Sequence, residues 1–151
     1  MITNERQLKI TRAQAARFEK ALAEMEQRQE EGVSPLLRRA ERDALASQRE
    51  SLRSEIAEYE ALRGGKRQVF EASSFEELPR LLIQARIARG MTQKDLAERL
   101  GLKEQQVQRY EGTGYASASL SRLRQVVEAL EVQVRETVTL NEYANSKHPS
   151  C

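Results

Sequence analysis

One glycine constrains this chain more than any other residue. Gly101 separates two short amphipathic stretches, "TQKDLAERL" and "LKEQQVQRYEG", each long enough for about two helical turns. Thr92, with Asp95 three residues on, has the spacing of a capping box that opens a helix. Leu96 and Leu100 fall on one side of that helix, and Ala97 is small where a second helix must come close. Gly101 then supplies the left-handed backbone of a tight turn. Leu102 follows as a core plug, and a new helix begins near Glu104.

The composition of this second helix is unusual. Val107 and Tyr110 give it an inward side, and Gln105, Gln108 and Arg109 point away from them, with Gln106 on the flank. A helix that only met solvent would more commonly carry Glu and Lys pairs. Two helices crossing steeply at a glycine turn, the second offering polar side chains, is the helix-turn-helix geometry. Gln can bind adenine in bidentate fashion and Arg guanine, each pair contributing about 1–3 kcal/mol of discrimination. The expected partner is therefore double-stranded DNA.

The remainder of the chain reads as mainly α. Residues 1–65 predict an antiparallel helical hairpin. Thr11 is expected to cap a first helix whose apolar stripe is Ala15, Phe18, Leu22 and Met25. Ser34 and Pro35 start a second, which carries Leu37, Ala44, Leu45, Leu52, Ile56, Tyr59 and Leu62 before Gly64 and Gly65 stop it. Both stripes are narrow and bury little surface by themselves. They either pack on the second half of the chain or pair with another chain, and their narrowness points to self-association or to capture of a different protein.

Residues 66–73 form a linker in which "RQVFE" (67–71) is a candidate strand. The spacing of Ser74 and Glu77 predicts a capped helix ending near Gly90, with Pro79 in its first turn. A last helix is expected from about Ser119 to Leu130. Then "VQVRETVTL" (132–140) alternates, placing Val132, Val134, Val138 and Leu140 on one face of an expected strand. Residues 141–151 read as a frayed tail.

Charge argues neither for nor against DNA: 25 basic residues face 23 acidic ones, a formal net charge of +2. The single cysteine, Cys151, excludes an internal disulfide and any cysteine-based metal cluster. His148 has no second histidine or placed carboxylate beside it. No phosphate-cradling glycine loop and no acid–base pair stands out, so no catalysis, cofactor or metal is expected. A charged N-terminus and the lack of a long apolar run lead us to expect a cytoplasmic protein with no membrane span.

Taken together, residues 78–132 resemble the helix-turn-helix domain of the phage Cro and C1-repressor class, the XRE family, over about a third of the chain. The resemblance rests on "LIQARIARGMTQKDLAERLGLKEQQVQRYEGTGYASASLSRLRQVVEALEV". Within it, Ala97, Gly101, Val107, Tyr110, Gly112, Leu123 and Leu130 occur in the family's order. Ala118 stands where a proline is frequent, and Glu131 where a glycine is frequent. The resemblance implies a lambda-repressor-like domain over residues 74–131 that reads a two-fold operator as a homodimer, as a regulator and in the first place a repressor. It implies base contacts by Lys103, Glu104, Gln105 and Arg109, and a phosphate contact or bracing role for Gln93. Backbone amides near Ser117 and Ser119 would clamp phosphate. Lys94 and Gln108 complete the expected DNA-facing set.

Each residue also has a blander reading. Gln105 and Arg109 would be plain surface, Glu104 a helix-dipole residue, Lys94 and Arg99 solvated charge, and Tyr110 core. An antitoxin that neutralises a partner and represses its own operon is the second functional reading, because the same DNA domain serves both.

Overall fold

In the computed structural model, which describes residues 1–28 and 32–140, the first helix starts well before the expected cap at Thr11. The Asn4 side chain accepts a hydrogen bond from the Gln7 backbone N–H at 2.9 Å, and α1 runs from Glu5 to Gln27. Thr11 lies inside α1, buried in one stripe with Leu8, Ala15 and Leu22. A small side chain at a close helix–helix contact and a capping hydroxyl look alike in sequence. Here burial decided between them.

The second helix, α2, runs from Pro35 to Arg63. Proline pre-sets the helical φ of its first turn, and the Ser34 side chain adds no capping bond. Four ion pairs cross between α1 and α2: Glu5–Arg63, Arg12–Glu60, Glu19–Arg53 and Glu26–Arg42. Their α1 members recur every seven residues while their α2 members run the opposite way. That is the register of an antiparallel heptad pair. The pairs are exposed and contribute little stability, so what they set is alignment.

The chain then enters its second half through a 3-10 turn at Phe75–Glu77. The capping box expected of Ser74 does not form. Glu77 reaches one residue further back and accepts from the Ser73 N–H at 2.7 Å. Helix α3, Leu78–Ala88, is buried continuously from Leu82 to Ile87. A helix covered on all sides lies at the centre of a fold. Its Gln84 donates to Glu58 of α2 at 3.0 Å, and its Arg86 pairs with Glu111 on the other side. Helices α4 (Gln93–Leu100), α5 (Glu104–Gly112) and α6 (Leu120–Ala129) complete the body. Leu96, Val107, Val126 and Leu130 are the largest of its fully buried side chains.

The base of the hairpin joins this body directly. Ile2, Leu8, Tyr59 and Leu62 belong to the same core as Leu82, Ile83, Leu96, Val107 and Val126. Thus the near ends of the α1 and α2 stripes pack on the second half of the chain.

Among the described residues there is no strand. Residues 67–71 belong to no regular element, and the Arg67 guanidinium lies 4.9 Å from the Phe70 ring centre. The strand expected at 132–140 is likewise absent. Val132 is half-buried against the core, its N–H closing α6 on the Val127 carbonyl at 3.3 Å. Beyond it Val138 and Leu140 are 93% and 90% exposed. Alternation is a signal for a strand, but a strand exists only where a neighbour supplies the hydrogen bonds. The tail at 141–151, with His148 and Cys151, lies outside the described residues. No described helix is long and apolar enough to cross a membrane.

Candidate nucleic-acid interface

The Thr92–Asp95 box closes in both directions. The Asp95 N–H donates to Thr92 Oγ1 at 3.0 Å, and the Thr92 N–H donates to the Asp95 carboxylate at 2.8 Å. Hydrogen bonding from the Thr92 backbone holds the Asp95 carboxyl below the usual carboxylate range. At the other end of α4, Gly101 has φ +66, and the Leu102 N–H returns to the Ala97 carbonyl at 2.8 Å. This left-handed closure aims α5 across α4. Helix α6 ends in the same way at Glu131, whose φ is +53. That left-handed φ costs a non-glycine residue such as Glu131 some strain, and it is the conformation that glycine adopts most readily.

Because an added Cβ at Gly101 has nothing within 4 Å, the main cost of replacing the glycine is backbone strain. Gly101→Val is therefore expected to lower stability by about 1–2 kcal/mol or more. Thermal unfolding of the variant checks this: an unshifted midpoint would place the turn's strain elsewhere.

Helix α5 turns Val107 inward and keeps Lys103, Glu104, Gln105, Gln106, Gln108 and Arg109 exposed. These are not equivalent. Gln106 is spent on the helix start, where its side chain accepts from the Lys103 N–H at 2.9 Å. Gln108 donates to Glu104 at 3.1 Å, so these two restrain each other. Gln105 and Arg109, one turn apart on one face, have no side-chain partner among the described residues. Lys94 is exposed on the first turn of α4. Ser119 caps α6, accepting from the Arg122 N–H at 3.1 Å, and Ser117 is exposed just before it.

Gln93 is placed differently from the rest of that set. It is 4% exposed, and its amide nitrogen donates to Glu111 at 2.7 Å. Of the two roles the resemblance implied, this geometry is that of a brace: the side chain is committed inside the protein.

Glu111 is the centre of a buried cluster that sequence reading missed. Arg86 and Glu111 side chains are 3% and 0% exposed. The guanidinium grips the carboxylate with two bonds, of 2.6 and 2.8 Å, and also donates to the carbonyls of Met91 and Thr3, each at 2.7 Å. Buried charges require such full satisfaction, since an unpaired one costs several kcal/mol. A signal was present: Glu111 lies one turn beyond Val107 on the inward side of α5, and Arg86 interrupts the apolar run "LLIQARIA". Opposite charges on two buried faces call for each other. Beyond this cluster, Tyr115 stacks on Tyr110 with ring centres 5.7 Å apart and is buried despite its left-handed φ of +57. Its burial pushes the phenol well above its ordinary range.

The result is a short helix anchored by buried contacts along its inner side, with an amide and a guanidinium displayed outward. Comparison with known families agrees with this geometry. Residues 82–136, from within α3 to beyond α6, match the family model described as helix-turn-helix. No curated protein and no solved structure matches the chain. This third of the molecule belongs to the helix-turn-helix family of the Cro and C1-repressor type, the DNA-binding module of a transcriptional regulator.

Proposed function

We propose that the protein is a sequence-specific regulator, in the first place a repressor, that binds a two-fold operator as a homodimer. The observation that carries this reading is the pair Gln105 and Arg109, one turn apart on a braced helix and with no side-chain partner among the described residues. Lys103 and Glu104 flank them at the start of that helix. Lys94, Ser117 and the amides behind Ser119 supply the phosphate contacts that fix register. Val134, Val138 and Leu140 support dimerisation: they are exposed on a segment that continues directly from the core. A second copy covering that segment would also set the separation of the two reading helices, about 34–36 Å for half-sites one turn apart.

Selection from random duplexes tests the reading, with the full chain and a truncation ending at Val132 run side by side. The full chain is expected to enrich a palindromic motif with half-sites about 10 base pairs apart, and the truncation to enrich only a single half-site, more weakly. Recovery of no motif by the full chain overturns the function; an intact palindrome with the truncation overturns this site of dimerisation.

A second reading rests on the far end of the hairpin. Leu36 and Leu37, 78% and 62% exposed at the start of α2, favour capture of another protein there, as an antitoxin captures its toxin. Co-purification of a small protein encoded beside this chain, lost on Leu36→Glu, supports it.

A further inference from the structure

We infer that Asn4, at the start of the N-terminal hairpin, is a positioning residue for DNA recognition, acting through Gln93 on the reading helix α5. The inference rests on the functional reading above and extends it to a part of the chain that the helix-turn-helix match does not cover.

The geometry leaves the Gln93 amide a single orientation. Its oxygen accepts from Asn4 Nδ2 at 2.9 Å, and its nitrogen donates to Glu111 at 2.7 Å. A rotated amide would set oxygen against the Glu111 carboxylate and nitrogen against the Asn4 donor. Two like contacts in a buried site are prohibitive. Asn4 thus fixes which way Gln93 faces, and Gln93 in turn helps hold the last turn of α5.

Asn4 is itself held firmly. Its own oxygen caps α1 on the Gln7 N–H, and the Gln7 side chain folds back to accept from both the N–H and the hydroxyl of Thr3, at 2.8 and 2.9 Å. Thr3 and Ile2 are buried, and the Thr3 carbonyl is one of the four acceptor contacts that Arg86 makes. The start of the hairpin, the start of α4 and the reading helix therefore share one hydrogen-bonded cluster, in which Asn4 and Gln93 stand 89 residues apart in sequence. A force that shifts α1 shifts the partners of Glu111. The hairpin is in this way coupled to the DNA-reading surface without forming part of it.

Asn4→Asp isolates the effect. Asp is as good an N-cap as Asn, so the bond from the Gln7 N–H survives, while the donor to Gln93 becomes an acceptor. The probe is the duplex motif selected by the parent protein. Asn4→Asp is expected to stay folded with a modestly lowered melting midpoint, to bind that duplex about tenfold more weakly, and to speed amide hydrogen exchange in α5 of the free protein. In a Gln93→Ala background the same substitution is expected to change affinity little, since the two residues act as one unit. Parental affinity together with parental exchange overturns the inference. So does an undiminished effect in the Gln93→Ala background, which would mean that Asn4 meets DNA itself. Should the parent select no duplex, the functional reading falls alone: faster exchange in α5 then supports the coupling, and unchanged exchange refutes it.

Discussion

Glu111→Leu is expected to cost about 3–5 kcal/mol of stability, because it leaves the buried Arg86 guanidinium without its counter-charge. Whole domains are stable by only about 5–15 kcal/mol, so this single change should bring the protein near its unfolding midpoint in mild urea. The carbonyls of Thr3 and Met91 still accept from Arg86, but neutral acceptors cannot replace a carboxylate gripped by two bonds. Adding Arg86→Met to Glu111→Leu should recover much of the loss, since the charge is removed along with its partner. The recovery stays incomplete because the Gln93 nitrogen, 2.7 Å from Glu111 in the parent, keeps no strong acceptor. Urea titration of the three variants decides this. A parental midpoint for Glu111→Leu, or a double variant no better than the single, would mean that the cluster is not held together by charge.

The second large effect falls on recognition and leaves the fold alone. Gln105→Ala and Arg109→Ala remove exposed side chains with no partner inside the described protein, so neither should move the unfolding midpoint by more than a few tenths of a kcal/mol. Each should weaken binding to the selected operator by about 1–3 kcal/mol and relax the preference at one position of each half-site. Binding to scrambled duplex should change far less for Gln105→Ala than for Arg109→Ala, because the guanidinium also adds sequence-independent charge. Lys94→Ala gives the contrast. It should weaken all duplexes alike and reduce the salt dependence by about one counterion per protomer. Competition titrations at two salt concentrations separate these patterns. Unchanged operator selectivity in both α5 variants would remove Gln105 and Arg109 from the base-reading role.

What the sequence by itself determined is the local grammar around the reading helix. The Thr92–Asp95 box, the left-handed turn at Gly101, inward Val107 and the stops at Gly64 and Gly90 depend on residues within about one turn of each other, so their physics is complete in a short window. Helical type and the outward face of α5 followed from the same windows. Tertiary structure alone decided matters where a side chain had more than one feasible partner. Thr11 had the chemistry of a cap and became part of a buried stripe. Gln93 was suited either to a phosphate or to bracing the reading helix, and its side chain is bonded to Asn4 and Glu111. The alternation at 132–140 was suited to a strand, yet none forms without a neighbouring edge. The pairing of Arg86 with Glu111 and Thr3 joins residues 25 and 83 positions apart. Local pattern can show that a charge is buried; which distant group answers it is set only when the helices have packed, because burial makes the pairing compulsory and topology makes it available.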